Sequence, residues 1–376
     1  MTKTKIGIVG CGYWGAKHVR SLHELGTCEI VACDSNPRFI AALQHSYPNV
    51  STTERYQDLL HADVDGVIIA TPMSTHFELA REFLLHGKDV LVEKPLTANA
   101  DQADILVEIA ERGAAVLMVG HTYVYNPAIE AVKNLISNGD LGDIYYLDLS
   151  RLNLGLFQHD ANVLWDLAPH DLSILLFLLK EAPTVVSARG AAHVNQKVHD
   201  NAHLDLTFPS GTRAHIHVSW LEPCKVRRAT VVGTRKMVVC DDVAPSDKVW
   251  IYDKGITLRY QTDSFDDFHL SYRYGDTTIL RTAPDEPLQL EQRHFVDCIK
   301  ERRRPRSDGF TGAQVVRLLD GAQQSLERQG SQVEIERLIE CTDPHLGAGL
   351  EQIVSARLAH AGHVNGVAKD LVGDRT

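Results

Sequence analysis

No window of the 376-residue sequence approaches the roughly 20 uninterrupted apolar residues that a membrane-spanning helix needs, so no bilayer span is expected. Positive charge is also in short supply. Lys and Arg number 38 against 49 Asp and Glu, a formal net charge of −11. That balance argues against the broad cationic surface on which nucleic-acid binding depends. The one dense basic run, Lys300 with Arg302, Arg303, Arg304 and Arg306, reads as a solvated helix end, where cations complement the helix dipole. Cysteine is sparse, and none of Cys11, Cys28, Cys33, Cys224, Cys240, Cys298 and Cys341 stands in a CxxC pair. Reduced, mostly buried thiols in a cytoplasmic protein are the simplest account. The opening MTKTKIGIVG shows no charged-then-apolar leader and runs straight into a strand pattern, which points the same way. Internal repeats and low-complexity segments are absent.

What is present is an ordinary globular composition, 44% hydrophobic and 23% charged, in a chain long enough for two cores. Residues 5–10 read as a buried strand that runs into Gly10-Cys11-Gly12-Tyr13-Trp14-Gly15 and a helix over 16–25. This is a GxGxxG motif in the setting it requires. Gly10 permits a tight turn, Gly12 lets backbone approach a pyrophosphate, Gly15 lets helix pack on strand, and the helix start offers N–H donors. A second strand over 29–33 ends at Asp34, about where this fingerprint places an acid that accepts from ribose hydroxyls. A carboxylate there repels a 2′-phosphate and favours NAD over NADP, although Arg38, four positions on, is of the type that accommodates one. Apolar strands over 64–70, 89–93 and 115–119 then alternate with helices, as in a doubly wound parallel sheet. Ligands of such sheets lie beyond the carboxyl ends of the strands. Three polar segments fall there: Thr71-Pro72 through His76, Glu93-Lys94-Pro95, and Gly120-His121 through Tyr123. His76 and His121 suit either a site role or a local hydrogen bond.

Beyond Asn126-Pro127 and a helix to about residue 137 the texture changes. Residues 144–152 read as a strand, and strand signals dominate from 184 to about 260, with hairpins turning near Gly211 and Gly233. Residues 165–179 are apolar at helical spacing, and helices over 288–301 and 312–328 follow. The expected architecture is α/β: an N-terminal Rossmann dinucleotide-binding domain over 1–123 and an α+β domain over 124–335 with a large, open, mostly antiparallel sheet. Residues 336–376 form an Ala-, Gly- and His-rich extension that this scheme does not place, with a short helix suggested over 350–358. Asp166 and His170 stand four apart on the apolar helix, hence close on one face, and burial there would tune them for acid–base work. Taken alone, such a pair is more often a buried structural hydrogen bond than chemistry. His215 and His217 share a strand face, but no third ligand stands at metal-site spacing, and no metal is expected.

GxGxxG at Gly10 to Gly15, Glu93-Lys94-Pro95, and Asp166 with His170 together resemble the glucose-fructose oxidoreductase/inositol dehydrogenase/rhizopine catabolism family, over about residues 4–335. The resemblance implies Lys94, Asp166 and His170 as the catalytic set, a cis Lys94-Pro95 bond, and dimers or tetramers through the C-terminal sheet. It places Tyr13, Trp14, Thr71, Pro72, His76, Glu93 and His121 about the cofactor. Within the family the chain looks most like members acting at C3 of nucleotide-linked sugars. Tyr123, Asn126, Arg151, Asn162, Lys225 and Arg227 are the candidates for sugar or diphosphate, with surface ion pairing as the other account of the charged ones. The implied chemistry is hydride exchange between a sugar carbinol and nicotinamide, with Asp166 orienting His170 and Lys94 stabilising the alkoxide or relaying its proton. Inositol or free-sugar dehydrogenases, NAD-dependent glycosidases and non-catalytic sensors share the scaffold and stand as the alternatives.

Overall fold

The computed structural model describes residues 3–155, 157, 161–260 and 268–336. The helix expected over 350–358 and Cys341 lie outside the described residues. The first part of the chain alternates β1 (Thr4–Val9), α1 (Tyr13–Leu25), β2 (Cys28–Cys33), α2 (Pro37–Ser46), β3 (Ser51–Thr53), α3 (Gln57–His61), β4 (Gly66–Ile69), α4 (His76–Leu85), β5 (Asp89–Glu93), α5 (Ala100–Arg112) and β6 (Leu117–Gly120). The six strands are parallel, in the order β3-β2-β1-β4-β5-β6. Every residue of β4, β5 and β6 is buried, which is why these strands are nearly all apolar: helices cover both faces.

The second part comprises α6 (Pro127–Ser137), β7 (Ile144–Leu152), α7 (Val163–Leu179), β8 (Val185–Ala191), β9 (Asn201–Thr207), β10 (Arg213–Ser219), β11 (Val226–Gly233), β12 (Met237–Asp241), β13 (Val249–Tyr260), β14 (Phe268–Leu280), α8 (Pro287–Glu301), α9 (Gly309–Glu327) and β15 (Val333–Glu334). Its nine-stranded sheet has the order β14-β13-β12-β11-β7-β10-β9-β8-β15, antiparallel except for β7 beside β10. In β9 and β10 burial alternates residue by residue, so only one face is covered. The covering helices are α7 and α9, whose Leu172, Leu175, Leu318 and Leu319 share a core with Leu204 and Ile216. The long strand β14 extends the strand region past the limit of about 260 read from the sequence, and it pairs with β13 along nearly its whole length.

The last two helices among the described residues return to the first sheet. Phe295, Val296, Cys298 and Ile299 of α8 enter the core beside Ile6, Ile8 and Ile68. On the opposite face Ala313 and Val316 of α9 join Leu106 and Val119. Gly312 makes that approach possible, since a Cβ there would lie 2.4 Å from Val119 Cγ2. No helix among the described residues is long and apolar enough to cross a membrane. The described cysteines are free thiols, and of these only Cys224 is exposed.

Phe295 is fully buried in that returning helix. Phe295→Ala is therefore expected to cost about 3–5 kcal/mol of unfolding free energy, measured by urea denaturation, through lost transfer energy and the cavity left behind.

Candidate active site

The turn after β1 is shaped for a dinucleotide. Gly10 has φ +89°, and its nitrogen bonds to Cys33 O at 2.8 Å, folding the chain back toward α1. A Cβ on Gly15 would lie 1.7 Å from Gly10 O, whereas one on Gly12 would meet nothing within 4 Å, so the backbone at Gly12 is open to a ligand. Helix α1 begins with no side-chain cap, leaving its first N–H groups for an anion. Asp34 organises this loop by accepting from Cys11 N at 2.7 Å and Asn36 N at 2.8 Å, and a carboxylate so engaged keeps lone pairs for ribose hydroxyls. Arg38 lies in the first turn of α2, with its side chain exposed. The cradle thus fits a dinucleotide, with Gly10, Gly12, Tyr13, Trp14, Gly15 and Asp34 around it.

Beneath it, strand β5 ends in a network that local pattern gave no sign of. Glu93, buried, accepts from His18 Nε2 at 2.9 Å and from Lys94 N at 3.1 Å. Gln292 of α8 donates to His18 Nδ1 at 2.8 Å, which assigns the His18 proton to Nε2. Burial works to raise the Glu93 carboxyl, but the His18 hydrogen bond and the Lys94 charge outweigh it and hold the group below its usual range. Nearby, Glu291 is pushed well above the carboxylate range by burial and by Glu93, so it holds its proton, and it accepts from Thr122 Oγ1 at 3.2 Å. The Lys94-Pro95 bond is cis, as the resemblance implied. His76 lies with one ring nitrogen 2.9 Å from Pro95 O and the other 2.9 Å from Thr71 O, tying the two loops together. His121 is buried with neither ring nitrogen hydrogen-bonded, and burial lowers its pKa to about 4.

Lys94 crosses to the second part of the fold. Its Nζ donates to the backbone carbonyl of Asp166 at 2.8 Å and lies 3.4 Å from Asp166 Oδ1. The other carboxylate oxygen, Oδ2, accepts from Trp220 Nε1 at 3.0 Å. This corrects the expectation that Asp166 orients His170. Residues four apart on a helix are neighbours, but here the carboxylate is drawn to a cation and an indole N–H from other elements. His170 Nδ1 is buried without a hydrogen-bond partner, and the ring stands edge-on to Tyr123 with centroids 5.0 Å apart. Burial first, then Lys94 and Arg151, push the His170 imidazole well below its ordinary pKa, so it is neutral.

Two substrate candidates are committed elsewhere. Arg151 is buried in a two-pronged pair with Asp171, at 2.9 and 2.8 Å, and lies 4.2 Å over the Tyr123 ring, so its donors chiefly hold the cleft wall together. Asn162 caps α7 through Trp165 N at 3.2 Å and donates to Gln323 at 2.9 Å, away from the cleft. The cap satisfies a helix-end N–H, a use that asparagine serves well. Tyr123, Asn126, Arg151 and Arg227 line the cleft with Lys94, Asp166 and His170. Asn126 is held by capping Ala128 N at 2.9 Å and by Asp242 at 2.8 Å, and Arg227 by Leu152 O at 2.9 Å and Asn153 at 2.6 Å.

The cleft, about 980 Å³, runs outward to Tyr13, Trp14, Lys17 and Lys225. Lys17 packs over the rings of Tyr13 at 4.0 Å and Trp14 at 4.5 Å. Among the described residues no carboxylate pairs with Lys17 or Lys225. Lys17 could have been suspected from its place one turn into the dinucleotide helix. His18, Gln292, Trp220 and Asp171 meet their partners only through tertiary packing.

Comparison with known proteins agrees with this geometry. Residues 4–121 match an oxidoreductase family with an NAD-binding Rossmann fold, and residues 129–239 match the C-terminal domain of the GFO/IDH/MocA proteins. A UDP-N-acetylglucosamine 3-dehydrogenase of Acidithiobacillus ferrooxidans is 30% identical over 68% of this chain and 79% of its own length. A crystal form of that dehydrogenase superposes with TM-score 0.72 at 26% identity, covering 87% of this chain and 99% of the other. An inositol 2-dehydrogenase of Rhizobium meliloti is 28% identical over 60% of this chain and 69% of its own. A levoglucosan dehydrogenase in complex with NADH shares the fold, with TM-score 0.76 at 18% identity, over 90% of this chain and 100% of the other. The chain belongs to this oxidoreductase family, and its cofactor is NAD.

The Arg151–Asp171 pair can be tested without any substrate. Arg151→Ala is expected to lower unfolding stability by about 3–5 kcal/mol, because it leaves Asp171 buried and unpaired. An arginine serving only a ligand would leave the urea midpoint unchanged.

Proposed function

We propose that this oxidoreductase exchanges hydride between NAD and a carbinol carbon of a sugar, with Lys94 and His170 acting on the reacting oxygen. The observation that carries this is Lys94 Nζ, brought from the carboxyl end of β5 onto Asp166 of α7, in one cleft with a neutral His170 whose Nδ1 has no partner. Bound NAD supplies the hydride acceptor or donor, and every other part of the chemistry falls to the chain. In the oxidation direction the unprotonated His170 accepts the hydroxyl proton. Lys94, partly withdrawn from water, stabilises the developing alkoxide, where an ammonium is worth more than in bulk solvent. Asp166 holds Lys94 in place. Arg151, tied to Asp171, fixes the Tyr123 ring on which the His170 edge rests. In reduction the same proton returns from His170 to the carbonyl oxygen.

The finer reading is a nucleotide-linked sugar, with reaction at its C3. Lys17 and Lys225, cations without a carboxylate partner among the described residues, stand at the outer end of the cleft, where a diphosphate would find them. The dehydrogenase of Acidithiobacillus ferrooxidans, named for UDP-N-acetylglucosamine, supports the same reading.

His170→Ala and Lys94→Met are each expected to lower kcat more than tenfold, the usual worth of a positioned acid–base group, with NAD affinity nearly unchanged. NADH absorbance on a panel of sugars and nucleotide-linked sugars, read beside NAD titration, checks this; turnover within tenfold of the parent for both variants sinks it. The same panel separates a dehydrogenase, which yields net NADH, from a glycosidase, which yields product without it.

The pH profile carries a second expectation. Burial first, then Lys94 and Arg151, disfavour the imidazolium of His170. Oxidation therefore depends on a base that protonates only in acid, and kcat/KM should hold as pH falls through the ordinary histidine range near 6.5 and drop below it. A profile breaking at or above 6.5 would remove His170 from the role of proton acceptor.

For the diphosphate, Lys225→Ala should raise KM for a nucleotide-linked sugar about tenfold, the loss of one charge-assisted contact, while leaving turnover of a free sugar unchanged. Equal effects on both substrates would count against the nucleotide-linked reading.

A further inference from the structure

We propose that Trp220 decides which partner the Asp166 carboxylate serves: its indole N–H holds Asp166 on Lys94 and away from His170, and Gly155 and Phe157 hold the indole in that position. Trp220 is here a positioning residue, and the proposal rests on the roles given above to Lys94 and His170.

Asp166 lies within reach of two groups. His170 follows it by four residues on α7, the spacing at which helical side chains pair. Lys94 arrives from β5. Left to itself, a carboxylate between an imidazole and an ammonium can turn to either. The indole settles the choice, because Nε1 donates to Oδ2 at 3.0 Å while Oδ1 faces Lys94 Nζ at 3.4 Å. An indole N–H donates and never accepts, so it takes no hydrogen bond from Lys94 and removes no proton from the site. Because Trp220 is 1% exposed, turning Asp166 toward His170 would strand this donor away from water. His170 Nδ1 is left without a partner, as the structure records.

The indole is itself pinned. Trp220 N donates to Asp200 O at 2.9 Å, and Trp220 O accepts from Gly155 N at 2.9 Å. The Phe157 ring lies against it with centroids 5.1 Å apart. A Cβ at Gly155 would fall 2.6 Å from the indole Cδ1, so only glycine there lets the chain close over the ring. Residue 155 therefore reaches Lys94 through the indole and Asp166, although it touches neither.

The test reads His170 directly. The imidazole is followed by NMR pH titration in the full-length protein, with the resonance assigned by its loss in a His170→Asn variant. In Trp220→Phe, Asp166 is free to pair with His170, which stabilises the imidazolium, and the His170 pKa is expected to rise by about one unit, the typical effect of a nearby opposite charge. The Trp220→Phe, Asp166→Asn double variant should lose that rise, since the indole acts only through the carboxylate. Gly155→Ala, which displaces the ring but keeps its N–H, should move the pKa in the same direction. Should Trp220→Phe fail to fold, the Trp220 indole N–H resonance in the parent and in Asp166→Ala decides the matter: a downfield proton that moves upfield when the carboxylate goes supports the proposal, and an unmoved one overturns it. An unshifted His170 titration in folded Trp220→Phe also overturns it, as does a shift that survives Asp166→Asn. These readouts use no turnover, so loss of the proposed reaction in His170→Ala and failure of the Trp220 proposal are separate outcomes.

Discussion

One ammonium group is shared between the two sheets. Lys94 leaves the first sheet at the end of β5 and finishes on the backbone and side chain of Asp166, at the start of the helix that covers the second. A charge withdrawn this far from water must be compensated, and the compensation comes from both sides. Asp166 meets the Nζ, and Glu93, ionised beneath it, takes the Lys94 backbone N–H. The arrangement of the cleft follows. His170 lies buried near a cation, and burial first and Lys94 second disfavour its protonation.

The dinucleotide half was legible because its determinants are local. A glycine turn needing positive φ, a helix start without a side-chain cap and an acid at the next strand end are properties of short segments, and each stands in the structure where the spacing put it. Parallel strands buried on both faces announce themselves as apolar runs, and the hairpins at Gly211 and Gly233 as turn chemistry. The strand β14 was missed because polar residues interrupt its apolar ones, and it takes its shape from pairing with β13.

The second half of the site was read less well, and for one reason. Helical spacing states which residues are neighbours on one element but not which third group arrives from another. Asp166 stands one turn before His170 on α7, yet the carboxylate belongs to Lys94 and Trp220, both far away in sequence. Arg151 suited a substrate or an ion pair equally, and the structure pairs it with Asp171, while Asn162 carries a capping role that any asparagine before an apolar helix offers. His18, Glu93 and Gln292 join three separate elements, and no window of sequence contains two of them.

The return of α8 and α9 to the first sheet has a consequence for biosynthesis. A ribosome that has finished β6 has made all six strands of the NAD-binding sheet, but neither face is yet covered by the helices that complete its cores. Those helices lie up to about two hundred residues further on, a delay of roughly 10–40 s at ordinary translation rates. During that interval Ile6, Ile68 and Val119 belong to a nascent chain with unfinished apolar surface, the kind of species that chaperones engage. The cofactor cradle is encoded first, but its final packing depends on almost the last described residues to emerge.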